Sequence, residues 1–119
     1  MRYMLLLYAE EGAEAQATPE DIGRMVTAYG AYSDALQKAG AAVPQGMDRL
    51  QPTQKARTVR VRDGKTRVVD GPYADTKEQL GGFFIIDVAD EKAALEWAER
   101  CPGAAHGSIE VRPLFVMPG

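Results

Sequence analysis

The stretch VVDGPYADTKEQLGGFFIIDV, residues 68 to 88, places several charged side chains between two apolar segments. Asp70, Lys77 and Glu78 are residue types that transfer protons or hold an anion when apolar walls shift their pKa values. In this interpretation they line a cleft beside a β-sheet. Asp70 would be the proton acceptor or ligand anchor, Lys77 would hold an anionic group, and Glu78 would help to bind the ligand.

The same stretch also has a purely structural interpretation. Asp70-Gly71-Pro72 is typical of a sharp turn, since Asp accepts local backbone hydrogen bonds and Gly tolerates positive φ. Asp75, followed three residues later by Glu78, resembles the start of a capped helical turn. In this interpretation the acids are turn and cap residues, and Lys77 is a solvated charge.

Further side chains are candidates for the same cleft: Tyr8, Glu10, Tyr29, Tyr73 and His106. Tyr8 and Glu10 end the first apolar segment and are expected to reach the cleft. Tyr29 would donate a hydrogen bond, although its place on an apolar stripe also suits a core residue. His106 lies in a loop, where a histidine is either a surface group or a partner for a distant acid.

Composition narrows the class of protein. One histidine and one cysteine exclude the His-rich and Cys-rich metal sites, and the chain has no phosphate-binding glycine loop and no Gly-x-Ser-x-Gly motif. We therefore expect no cofactor and no metal. The net charge of −3, with no basic cluster, argues against nucleic acid as a partner.

Cys101 cannot form an internal disulfide, which fits a reducing compartment, and we expect a packed thiol and a cytoplasmic protein. The apolar run at the N-terminus turns acidic at Glu10-Glu11 and lacks a cleavage-site pattern. It predicts a buried strand and neither a signal peptide nor a membrane span.

The length of 119 residues predicts a single domain spanning 1–119. Helical periodicity predicts a first helix from Pro19 to Ala39, capped by Thr18 and stopped at Gly40. Asp90 is expected to cap a second helix that runs to Cys101. The predicted strands are 2–9, 58–62, 66–69, 83–88 and 108–112, with a short strand at 41–43 and a tight turn at Asp63-Gly64.

This order of elements predicts an α+β, ferredoxin-like split βαβ fold: an antiparallel sheet, two helices on one face, and an extra β-hairpin. The open face would carry one apolar set or its neighbours in the opposite register. The first set is Leu5, Leu7, Phe84, Ile86, Ile109 and Val111. Because a bare apolar face is poorly tolerated in water, we expect a homodimer through this face.

Several segments carry a family resemblance: DGPYADTKEQLGGFFIIDV, MLLLY, VRVRDGK, ALEWAERCP and SIEVRPL. They resemble the YCII-related domain family in its DGPF branch, with Tyr73 where the branch name has Phe. The resemblance covers nearly the whole chain and implies a ferredoxin-like fold that pairs into a dimeric α/β barrel.

The broader family is similar to muconolactone isomerase. Its proposed catalytic pair is a histidine on the first helix and a nearby aspartate, and the histidine position falls near Tyr29 here. The resemblance thus implies a small, anionic or lactone-like ligand and a cofactor-independent isomerase or lyase. DGPF proteins are often encoded beside extracytoplasmic-function sigma factors, so the alternative is a regulatory or protein-interaction module. A third alternative is a stable dimer whose signature loop serves only folding.

Overall fold

The computed structural model describes residues 1–118. Its strands are β1 (Arg2–Ala9), β2 (Ala42–Arg49), β3 (Arg57–Arg62), β4 (Lys65–Asp70), β5 (Gln79–Asp87) and β6 (Ser108–Pro113). Its helices are α1 (Glu11–Glu14), α2 (Pro19–Lys38) and α3 (Glu91–Arg100), with 3₁₀ turns at Thr53–Lys55 and Pro102–Ala105.

Four strands form one antiparallel sheet in the order β2-β5-β1-β6, and β3 pairs with β4 in a separate hairpin. Leaving the hairpin aside, the chain follows a β-α-β-β-α-β order. The predicted α+β class is confirmed, and this arrangement fits the ferredoxin-like fold.

The core lies between the sheet and the two long helices. Leu5 pairs with Phe84 and Tyr3 with Ile86 in the register of β1 and β5. These four side chains are buried in one cluster with Tyr32 and Leu36 of α2 and Ala94 and Ala98 of α3. Leu7, Ile109 and Val111 pack against the same cluster.

The set that includes Leu5 and Phe84 therefore faces the helices, and the opposite register applies to the open face. Because successive side chains of a strand alternate between faces, Met4, Leu6, Phe83 and Ile85 lie on the open side of the sheet. All four are half-buried within the single chain.

Capping side chains mark the start of both long helices, and a glycine with positive φ follows the end of α2. At the start of α2, Thr18 Oγ1 accepts from the backbone N–H of Asp21, whose carboxylate accepts from the N–H of Thr18. The helix ends one residue before the predicted Ala39, and Gly40 follows with a φ of 71°. Asp90 caps α3 by accepting from the N–H of Ala93.

Three local predictions need correction. Residues 75–78 contain no helical turn, only a bend at Lys77 and Glu78, so the cap at Asp75 that the structural interpretation predicted is wrong. The predicted strand at 83–88 begins earlier, at Gln79. The short strand at 41–43 extends to Arg49 as β2, an edge strand that absorbs Pro44 and the positive φ of Gln45 in an irregular stretch.

The turn at Asp63-Gly64 is confirmed: both residues have positive φ, 53° and 73°, as a two-residue hairpin turn requires.

None of the helices within residues 1–118 is long and apolar enough to cross a membrane.

Candidate functional site

A cleft of about 510 Å³ lies at the end of β1, between the segment that follows this strand and the loop that precedes β5. Its walls are Tyr8, Glu10, Thr76, Lys77, Glu78 and Ser108. The lining combines two carboxylates, one ammonium group and three hydroxyl groups. Such a set can bind a small molecule that has both hydrogen-bond donors and acceptors.

Strand pairing positions one wall of this cleft. Tyr8 lies opposite Ser108 of β6 and opposite Leu80 of β5. The register between β1 and β5 shifts at this point, so Gly81 is left out of the pairing and the strand bends. The bend and the pairing place Tyr8 and Ser108 side by side at the margin of the sheet.

Gly107 allows the close approach of the chain that enters β6. A Cβ atom at this position would lie 1.9 Å from the carbonyl oxygen of Tyr8. Only a residue without a side chain fits there, because the nearest atoms belong to the backbone of Tyr8 and Ala9. This contact brings Ser108 to the cleft.

The polar side chains of the cleft contact one another. Ser108 Oγ donates to Glu78 Oε1 at 2.7 Å, and Tyr8 donates from its hydroxyl to Glu110 Oε1 at 3.4 Å. Burial, together with the nearby Glu110 carboxylate, raises the pKa of Tyr8, so its hydroxyl keeps its proton and stays a donor. A hydroxyl group thus holds the Glu78 carboxylate in place, and Tyr8 contacts Glu110, which is not one of the cleft walls.

Lys77 is the cation of the cleft. Its Nζ lies 3.8 Å from Glu10 Oε1, and its side chain is 88% exposed. At this distance and exposure the pair is a weak, solvated interaction that a ligand can displace. The ammonium group is thus available to an anionic or carbonyl oxygen inside the cleft.

The loop that carries Lys77 is tied to the opposite wall by Gln79. Gln79 Oε1 accepts from the backbone N–H of Glu11 at 3.0 Å, and its Nε2 donates to the carbonyl oxygen of Thr76 at 2.6 Å. Nε2 also lies 3.4 Å from the carbonyl oxygen of Lys77. One amide side chain therefore sets the spacing between the two walls.

A second link holds the wall after β1. The carboxylate of Glu11 accepts from both the backbone N–H and the hydroxyl of Thr53, each at 2.8 Å. Thr53 begins the 3₁₀ turn that precedes β3. Glu11 thus joins three segments that are far apart in the sequence.

The structure brings together four of the candidates named from sequence: Tyr8, Glu10, Lys77 and Glu78. Asp70 lies outside this set, on the β3–β4 hairpin, where it pairs with Arg57 at 3.0 Å and is 87% exposed. Tyr73 is 84% exposed, with the Arg60 guanidinium 5.8 Å from its ring centre. Neither residue lines the cleft.

Tyr29 and His106 also lie elsewhere. Tyr29 stacks on Phe84 in the core, with ring centres 6.2 Å apart and planes 11° apart. Burial, followed by the neighbouring Cys101 thiol, raises the pKa of Tyr29 to about 12. His106 is exposed in the loop before β6. The roles assigned to Asp70, Tyr73, Tyr29 and His106 stay predictions, and none of these residues contributes to the cleft walls.

Sequence reasoning missed Thr76, Gln79 and Ser108. Ser108 carried a usable signal, because the alternation in SIEVR places Ser, Glu and Arg on the face opposite to Ile and Val. Gln79 carried no signal for its contact with Glu11, since only the fold brings these two residues together. Within residues 1–118, no group of three or more His, Cys, Asp or Glu side chains is placed to hold a metal ion.

Comparison with known proteins gives two matches over nearly the whole chain. The YCII-related domain matches residues 1–118. A protein of Rhizobium meliloti (strain 1021), described only as uncharacterized, is 40% identical over 116 residues, which cover 96% of this chain and 92% of that protein. On this evidence the chain belongs to the YCII-related domain family.

Proposed function

We propose that this protein binds a small hydroxy acid or its lactone in the cleft between Glu10 and the Lys77–Glu78 loop. The observation that carries this proposal is the position of the Lys77 ammonium group, 3.8 Å from Glu10 and in one cleft with Glu78 and three hydroxyl side chains. The cleft is wide open to solvent, and its volume of about 510 Å³ is within the range of small-molecule sites.

The lining favours a ligand that has both hydrogen-bond acceptors and hydrogen-bond donors. A carboxylate or lactone carbonyl would accept from Lys77, and ligand hydroxyl groups would donate to Glu10 or Glu78. A purely anionic ligand fits less well, because two carboxylates in the same cleft would repel it. A hydroxy acid satisfies the ammonium group and the carboxylates together.

The same geometry suits proton transfer without a cofactor. Glu78, oriented by Ser108, would take a proton from the bound molecule, while Lys77 would stabilise the charge that develops on its oxygen. Tyr8, protonated at neutral pH, would donate a hydrogen bond. In this proposal the proton acceptor is Glu78 and not Asp70, the candidate named from sequence. The protein would then be an isomerase or a lyase.

A second copy of the chain is the proposed partner of the open sheet face. Met4, Leu6, Phe83 and Ile85 give this face a continuous apolar surface across β1 and β5. Tyr8 follows Leu6 on the same side of β1, so the cleft opens at the margin of the proposed interface. Sheet-on-sheet packing of two copies would shield one side of the bound molecule from water.

A thermal-shift screen with small lactones, hydroxy acids and dicarboxylates tests the ligand class. A ligand at about a hundred times its dissociation constant stabilises the folded state by about 2.7 kcal/mol. We expect a hydroxy acid or lactone to shift the wild type and Lys65→Met, a control lysine on the hairpin, but not Lys77→Met. An equal shift in Lys77→Met, or no shift with any compound, contradicts the proposal.

A further inference from the structure

The three hydroxyl groups that line the cleft already donate their protons to the protein. Ser108 Oγ donates to Glu78 Oε1, and Thr76 Oγ1 donates to the carbonyl oxygen of Glu78. The hydroxyl of Tyr8 donates to Glu110 Oε1. Chemistry fixes the direction of each bond, because carboxylate and carbonyl oxygens only accept. A hydroxyl group has one proton and two lone pairs, so in this state the three groups can only accept from a ligand.

Tyr8 is the hydroxyl that can change its partner. Its bond to Glu110 is long, 3.4 Å, whereas the bond from Ser108 to Glu78 is 2.7 Å. Glu110 does not depend on Tyr8 for a donor, because Arg112 Nε donates to its other carboxylate oxygen at 2.9 Å. The Tyr8 proton can therefore turn to a ligand oxygen without leaving the Glu110 carboxylate unpaired.

The ammonium group of Lys77 is the other side-chain donor of the cleft. Its Nζ lies 3.8 Å from Glu10 Oε1, which is beyond hydrogen-bond distance. An ammonium group has three N–H donors and no acceptor. Lys77 and Tyr8 together can thus serve one carboxylate or lactone group of a ligand, and the other side chains of the lining offer it only acceptors.

These acceptors outnumber the donors. The Glu10 side chain is 48% exposed, and the Glu78 carboxylate receives one bond from Ser108 although a carboxylate can accept about four. The hydroxyl oxygens of Ser108 and Thr76 add further lone pairs. A ligand that displaces water from these oxygens must replace the lost hydrogen bonds. It must therefore bring several O–H groups.

We propose that the ligand of the cleft is a polyhydroxylated acid of the sugar type, or its lactone, with hydroxyl groups on several neighbouring carbons. This inference rests on the proposed function and narrows its ligand class. The carboxylate or lactone group lies against Lys77 and Tyr8, and the hydroxyl groups donate to Glu10, Glu78 and Ser108. An acid with a single hydroxyl binds less well, because it displaces water from acceptors that it leaves unpaired.

Titration of the wild type with matched ligands tests this class. Gluconate, galactonate and mannonate carry a hydroxyl group on every carbon beyond the carboxylate, and α-hydroxyhexanoate has the same chain length with a single hydroxyl. We expect the best of these sugar acids to bind at least about tenfold more tightly than α-hydroxyhexanoate, because it adds two or more hydrogen bonds.

Two outcomes of this titration separate the inference from the proposed function. If α-hydroxyhexanoate binds as tightly as the best sugar acid, the polyhydroxylated class is overturned, while the proposed hydroxy-acid site stands. If none of these acids binds, the proposed site itself is contradicted, and the inference falls with it.

Glu10→Gln and Glu78→Gln test the acceptors of the lining. The readout is the ratio of the two dissociation constants, because both acids carry one carboxylate and the lost charge affects them alike. We expect the preference for the sugar acid to fall below about threefold in these variants. It should persist in Glu14→Gln, the matched control, since Glu14 lies on α1 and does not line the cleft. Far-ultraviolet circular dichroism verifies folding. An unchanged preference in both Glu10→Gln and Glu78→Gln overturns the inference.

Discussion

Gln79 accepts a hydrogen bond from the backbone N–H of Glu11 at 3.0 Å, and this contact joins the start of β5 to the segment after β1. The same amide group donates to the loop that carries Lys77. The two walls of the cleft are thus spaced by one side chain that does not itself line the cleft. Gln79 acts as a positioning residue for Lys77.

Replacing Gln79 tests this arrangement. Gln79→Met keeps the length of the side chain and removes its hydrogen bonds, so we expect a loss of about 2 kcal/mol in the free energy of unfolding. The backbone N–H of Glu11 loses its acceptor and should exchange faster with deuterium, and ligand stabilisation should fall. Gln79→Glu retains the acceptor for Glu11 N–H but places a carboxylate against two carbonyl oxygens. We expect it to loosen the loop and to lower ligand stabilisation as well. Ligand stabilisation equal to that of wild type in both variants would contradict the assignment.

The raised pKa of Tyr29 should make the folded chain less stable at alkaline pH. Burial raises its pKa in the folded chain to about 12, from an ordinary value of 10.0. Above pH 10 the unfolded chain loses this proton while the folded chain keeps it, so the free energy of unfolding should fall as the pH rises towards 12. Denaturant unfolding at several pH values measures the effect. Tyr29→Phe should reduce the slope, leaving the parts due to Tyr32, Tyr8 and Cys101, whose pKa values are also raised by burial.

Replacing glycine by alanine should have opposite effects on the free energy of unfolding at two positions. Gly107→Ala places a Cβ 1.9 Å from the carbonyl oxygen of Tyr8, and we expect a loss of about 3 kcal/mol or more together with a displaced Ser108. Gly30 lies inside α2 with nothing near its added Cβ, so Gly30→Ala should gain about 1 kcal/mol. Thermal denaturation of both variants measures the difference. A Gly107→Ala variant as stable as wild type would show that the backbone there can move.

Asp70 provides a test that separates the hairpin from the cleft. Its ion pair with Arg57 joins two exposed side chains, so Asp70→Asn should cost at most about 1 kcal/mol. Because Asp70 is not a wall of the cleft, we expect the ligand-induced thermal shift to stay unchanged. Loss of ligand binding in a stable Asp70→Asn variant would show that the ligand binds at the DGPY turn and not in the cleft.

The local elements were predictable because their signals are local. The capping pair of Thr18 and Asp21, the left-handed Gly40 and the Asp63-Gly64 turn each act within a few residues. Lys77 and Glu78 were identified as a pair for the same reason, as neighbours in the chain. Their chemistry depends on residue type, which is visible in the sequence.

The sequence alone thus determined the class of fold, the order of the main elements and the three charged side chains of the cleft. Tertiary structure decided which apolar set faces the helices, because a shift of one residue exchanges the two faces of a strand and neither set carries a local mark. It also decided that Tyr8 meets Ser108 and that Lys77 meets Glu10, while Asp70 and Tyr29 lie elsewhere. Contacts between distant segments follow from strand register and loop geometry, which arise only when the whole core is packed.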